Sequence, residues 1–260
     1  MRHICTILLA FALTLPLHAG VIYQFKTVTE GNTADMVGTA KVDGENFRLE
    51  LSEGDGVIFQ DNSIIISDDG GKTMMVLDPK KKEYYHLSIE DTLSAMTSML
   101  QSMGGMFKMS IDHQTVEVRR IGAGESIEGY PTNKYKVDTA YTLKLKAMGM
   151  NMDQQVKSET TTWSTDELDQ QLAAFIQYRT FRTGMEDLDA LIEKHIDAVK
   201  GFPLKTVTKT EVTARGKTNT STSTMTVTGI KEADVAASEF AVPAGYSEVD
   251  GPMAALEQMR

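Results

Sequence analysis

The sequence predicts an α+β domain of about ten antiparallel strands and about three helices. Three observations predict it. Apolar and polar residues alternate between turn signals over residues 20–87. Two S-x-x-[D/E] pairs, Ser88/Asp91 and Ser164/Glu167, each precede apolar residues at helical spacing. Between and beyond those runs, alternating threonine-rich segments return.

The chain opens on Arg2 and an apolar run from Ile4 to Leu17 that ends at Leu17-His18-Ala19. That pattern is a secretory signal peptide cleaved near Ala19, too short and wrongly flanked to span a membrane. The expectation is an exported, periplasmic protein whose residues 20–260 form a single domain. Cys5 is the only cysteine and lies inside the signal, so residues 20–260 hold no disulfide, thiolate metal site or cysteine nucleophile. No cysteine stands at the cleavage point to take a lipid, and no later run is long and apolar enough to span a membrane. Without Arg2 the 26 Lys+Arg fall to 25 against 36 Asp+Glu, a net charge of −11. Such a surface disfavours phosphate backbones and anionic headgroups, which argues against nucleic acid and against a stable membrane anchor.

Phe47, Leu49 and Leu51 alternate with Asn46, Arg48 and Glu50, the pattern of a half-buried strand. Asp43-Gly44, Asp61-Asn62, Asp69-Gly70-Gly71 and Asp78-Pro79 are spaced as the turns of a meander, so neighbouring strands are expected to pair in sequence order. Lys80-Lys81-Lys82 reads as a solvated hairpin tip. Behind Ser88, Ile89, Leu93, Met96, Leu100 and Met103 predict a helix that Gly104-Gly105 ends. Val116, Val118, Tyr135 and Val137 mark strands, and Leu143 to Trp163 reads as a hairpin turning near residues 151–155. The apolar phase changes between Leu145 and Met148, which predicts a bulge near Ala147 or Gly149. After Ser164, two amphipathic helices are expected, the first through Leu168, Leu172 and Phe175, the second through Leu188, Leu191 and Ile196 to Gly201. Strands at Leu204 to Val212 and Thr222 to Val227 complete the sheet.

Four phrases occur in order along the chain: Gly129-Tyr130-Pro131 with Lys134-Tyr135, Thr162-Trp163-Ser164, Gly201-Phe202-Pro203-Leu204-Lys205, and Phe240-Ala241-Val242-Pro243-Ala244-Gly245-Tyr246. Together they resemble an exported bacterial family of unknown function that looks related to the lipoprotein-localisation factors LolA and LolB. The resemblance implies a strongly curved antiparallel half-barrel with the helices on its concave face. It implies no catalytic residues. Members often carry a cysteine where this chain has Thr132, which speaks against a redox or disulfide role here.

Methionine is over-represented, with 16 residues grouped mainly at Met74-Met75, Met96 to Met109 and Met148/Met150/Met152. Filling gaps in a core is the ordinary use of this flexible side chain. The functional reading is an adaptable lining for acyl chains, with Leu93, Met96, Met99, Leu100 and Met103 on one wall, Met148, Met150 and Met152 on another, and Trp163 at the edge. Thioethers also select Cu(I), a third reading. His86, His113 and His195 are far apart and show no ligand spacing, no G-x-S-x-G elbow is present, and Asp68-Asp69 and Asp187/Asp189 suit turns and helix surface. The expectation is therefore a protein that is not an enzyme and needs no cofactor. It is expected to bind an apolar ligand or a lipoprotein partner; a structural envelope protein with a filled core is the alternative.

Overall fold

β1 (Gly20–Thr29), β2 (Met36–Asp43), β3 (Asn46–Glu53), β4 (Ile64–Ser67), β5 (Thr73–Asp78) and β6 (Glu83–Ser88) follow one another as an antiparallel meander. This computed structural model describes residues 20–31, 35–54, 60–88, 107–147, 150–168, 189–190, 193–194 and 199–251. The pairing in sequence order is as the turn spacing predicts, and the turns work as their residues dictate. At the Lys80–Lys82 tip, Asp78 Oδ1 accepts the N–H groups of Lys80 and Lys81 at 2.9 and 3.1 Å. At the β4–β5 turn the Asp69 carboxylate accepts from the Thr73 N–H and from the Ser67 hydroxyl, while Gly70 and Gly71 take positive φ.

The second half adds β7 (Phe107–Ala123), β8 (Asn133–Ala147), β9 (Met150–Asn151), β10 (Gln154–Thr165), β11 (Phe202–Ala214), β12 (Lys217–Ala233) and β13 (Ser247–Glu248). The sheet order is β13-β6-β5-β4-β3-β2-β1-β12-β11-β10-β8-β7, with β9 beside β8. Among the described strands only the β13–β6 pairing is parallel. The chain's first and next-to-last strands, β1 and β12, meet in the middle of the sheet, so the meander is joined to the longer strands by residues almost at opposite ends of the sequence.

The predicted fold class is corrected by this arrangement. The described residues form one open, mostly antiparallel sheet of thirteen strands, not an α+β half-barrel of about ten strands with about three helices on a concave face. The two serines expected to cap helices both lie in strands. Ser88 pairs with Thr73 at the end of β6. Ser164 lies in β10 and its hydroxyl donates to the Lys200 carbonyl at 2.5 Å, while the Glu167 N–H goes to Thr165 Oγ1 at 3.3 Å. The helix expected over 89–103 lies outside the described residues, as do the signal peptide and most of the helix pair. Within that pair Asp189, Ala190, Glu193 and Lys194 have helical backbone.

The hairpin also differs from expectation. Ala147 pairs with Met150 and Lys146 with Asn151, and β10 continues in the same register with Gln154 opposite Leu143. The pairing therefore runs in one register from Leu143/Gln154 to Ala147/Met150 with no bulge at Ala147, while Gly149 lies outside the described residues.

Candidate functional site

One face of the meander is apolar from edge to centre. Val21, Tyr23 and Phe25 of β1 stand opposite Val42, Ala40 and Gly38 of β2, which stand opposite Phe47, Leu49 and Leu51 of β3. Leu49 continues to Ile65, Ile65 to Val76, and Val76 to Tyr85, so each strand contributes to one row by simple alternation. Across the centre, Val227 of β12 sits beside Phe25, and Phe202 and Leu204 of β11 belong to the same cluster. Met74 is buried in it, and Met36 and Met225 pack against it half-buried. From outside the strands, Leu168 belongs to it and Ile127 and Tyr130 of the β7–β8 connection pack on it.

Gly38 lets this row close up. A Cβ there would lie 2.7 Å from the Glu50 carbonyl oxygen and 2.9 Å from the Phe25 ring, so only glycine allows Phe25 to lie over β2. Tyr23 is fully buried with its ring edge-on to Phe202, the centroids 5.4 Å apart at 77°. Its hydroxyl makes no hydrogen bond among the described residues. Burial pushes its pKa far above the ordinary value of 10.0, so the group remains a neutral O–H donor. Tyr23 also sits where the β1–β12 ladder slips: Ile22 pairs with Lys231 but Gln24 with Thr228, leaving Gly229 and Ile230 opposite a single residue. Gly229 takes φ 62°, and its N–H donates to Glu128 Oε2 at 2.8 Å.

Toward β8 and β10 this face turns to hydroxyls. Thr139, Thr160 and Thr162 are buried, and Thr160 shares a 3.2 Å hydrogen bond with Thr208 of β11. Tyr135, Val137 and Val199 make a smaller apolar cluster beside them.

The opposite face is polar over β7, β8, β10 and β11. A groove of about 340 Å³ there is lined by Glu117, Asp138, Lys157, Glu159, Lys209 and Glu211 among others. Its charges are largely paired: Lys136 with Glu159 at 2.6 Å, Lys209 with Glu211 at 2.8 Å, and Arg119 with Asp138. Among the described residues no three His, Cys, Asp or Glu side chains converge as a metal site would need. His86 and His113 are largely exposed.

Over β2–β6 that outer face is covered by the C-terminal segment. Val235 and Phe240 pack on Ile66 and Leu77, and the segment ends as β13. Glu239 anchors it, accepting from Lys41 Nζ at 2.8 Å while Arg48 donates to the Glu239 carbonyl at 3.1 Å. Burial of neighbouring Glu50 opposes its charge, but the Arg48 hydrogen bond and the Arg48 and Lys41 charges outweigh it and hold its pKa below the carboxylate range.

Of the residues expected to line a ligand site, Leu93, Met96, Met99, Leu100, Met103 and Met148 lie outside the described residues. Met150 is 60% exposed beside β8, and Met152 is half-buried. Trp163 alternates with buried Thr162 and Ser164 and so stands on the polar face, away from the apolar cluster. There Lys134 and Lys205, its partners on the two flanking strands, hold their ammonium groups 4.7 and 4.9 Å from the ring centroid. The sequence points to Phe202 and Leu204 only as part of a local phrase and a strand start, not as core partners, and it does not single out Tyr23 and Phe25. The only signal for them was the period-two alternation of β1 and the strand start after Gly201.

The sequence model of a family described as "Domain of unknown function (DUF4412)" matches residues 20–246. No curated protein matches the chain. A solved structure described as "Structure of PNGF-II in C2 space group" aligns over 93% of this chain at 10% identity with a TM-score of 0.35, and this chain spans 32% of that one. A likeness that slight carries nothing over.

Proposed function

This chain belongs to the DUF4412 domain family, whose function is unknown, and we propose that it is a non-catalytic exported protein that binds an apolar ligand, a lipid or acyl chain, or a lipid-bearing partner. The observation that supports this is the apolar face itself, which runs unbroken from β6 through β1 to β11 on one side of an open sheet. Met36, Met74 and Met225 are set along it, and their unbranched thioethers repack around chains of different shape. Leu93, Met96, Met99, Leu100 and Met103, with Met148, Met150 and Met152, are the further lining residues of this proposal. Trp163, expected at the edge of that lining, stands on the far side of the same sheet.

The periplasmic location rests on the pattern of residues 1–19. The relation to LolA and LolB rests on the order of the four local phrases, and with it the idea of a lipoprotein as partner. The alternative, a structural envelope protein with a filled interior, draws on the complete burial of Ile65, Phe202, Leu204 and Val227. Native mass spectrometry of protein released gently from the periplasm separates the two. A lipid-sized added mass that denaturation removes is the expected result, whereas a bare mass at both gentle and harsh settings leaves the filled interior.

A further inference from the structure

We propose that the Tyr23 hydroxyl is the polar anchor of the apolar face, donating a hydrogen bond to the carbonyl oxygen of an acyl ester or amide whose chain lies among Phe25, Phe47, Phe202 and Leu204. The inference rests on the apolar-ligand reading above and names the ligand class for it. The side chain is fully buried in the centre of the cluster, and its hydroxyl has no hydrogen-bond partner among the described residues. A buried hydroxyl left unpaired is costly, whereas phenylalanine of the same shape carries no such cost. Phenylalanine is what the same cluster uses at positions 25, 47 and 202. The tyrosine oxygen therefore serves something that the described residues do not supply.

The local backbone fits that role. Tyr23 lies at the slip between β1 and β12, and such bulges re-aim a side chain beside a site. Its neighbour on β2 is Ala40, which is too short to reach the hydroxyl and has no polar atom to satisfy it. The chemistry of the surroundings sets the acceptor. An ionised carboxylate is far more costly to bury in an apolar cluster than a neutral carbonyl, so an ester or amide is favoured over a free fatty acid.

Displacement of diphenylhexatriene, a hydrocarbon with no acceptor, tests the assignment on the purified full chain. In the wild-type protein methyl laurate should displace the probe at roughly tenfold lower concentration than dodecane, a ratio typical of one hydrogen bond. In Tyr23→Phe that advantage should disappear while the probe binds as before and the unliganded Tm is unchanged or higher. Equal displacement by the two competitors in the wild type, or an advantage retained in Tyr23→Phe, overturns the anchor and leaves the apolar site standing. A probe that does not bind the wild type overturns the site and the anchor together. A Tyr23→Phe protein that binds nothing and melts several degrees lower shows the hydroxyl already satisfied inside the fold, which also overturns the anchor.

Discussion

Gly38 shows how much of the apolar face is decided by one missing side chain. Its backbone is not in the left-handed region, so the need for glycine is steric: a methyl group would press on the Glu50 carbonyl and on Phe25 at once. Because the carbonyl belongs to a paired strand and cannot swing away, Gly38→Ala is expected to cost about 2 kcal/mol, measured by urea unfolding. Gly44 gives the contrast, with φ 60° and open space where a Cβ would go. Gly44→Ala should cost about 1 kcal/mol through backbone strain alone. None of this could be read from the sequence, where Gly38 is one residue in an alternating run. Its role exists only once register sets it against Phe25 and Leu51. Tyr23 was hidden for the same reason, since alternation says which face a side chain takes but not whether its oxygen finds a partner.

At the level of elements, turns and straps carry the polar interactions. Burial of Asp69 opposes its charge, but hydrogen bonds from Thr73 and Ser67 overcome this and lower its pKa below the ordinary 3.8. A depressed folded pKa means the carboxylate stabilises the fold above pH 3.8 and loses that effect as pH falls through the folded value. Asp69→Asn should therefore be less stable than wild type in urea at neutral pH, with the difference shrinking as pH falls below 3.8. If the gap persists unchanged in acid, charge is not how Asp69 holds the β4–β5 turn. The C-terminal strap depends on packing instead. Phe240 is 7% exposed against Ile66 and Leu77. Phe240→Ala is expected to cost about 3 kcal/mol and to raise amide exchange along β6 before the central strands. The meander strands and their turns were legible because alternation and Asp/Gly turns are local signals. The sheet positions of Ser88 and Ser164 were not, because a serine-to-acid spacing says nothing of the strand that precedes it, and only the pairing partners reveal that strand.

For the molecule as a whole, the decisive contact is β1 with β12, which joins strands near opposite ends of the sequence. Sequence could suggest both strands but not their meeting, because periodicity carries no information about partners distant in the chain. The consequence is energetic as well as topological. Tyr23 and Phe25 pack in one cluster with Phe202, Leu204 and Val227, so the meander lacks a complete core until the last strands arrive. Closing so long a loop before any of these contacts form makes folding slow and favours an all-or-none transition. Trp163 of β10 sits in the second half of the sheet, while most of the buried apolar residues lie in the first. Urea unfolding followed by Trp163 fluorescence and by far-ultraviolet circular dichroism should thus give a single midpoint. Leu204→Ala, which opens the cluster at the junction, should lower both readings together by about 3 kcal/mol. Two separated midpoints, or a Leu204→Ala effect confined to the fluorescence, would mean the meander stands on its own core and the two halves fold as separate units.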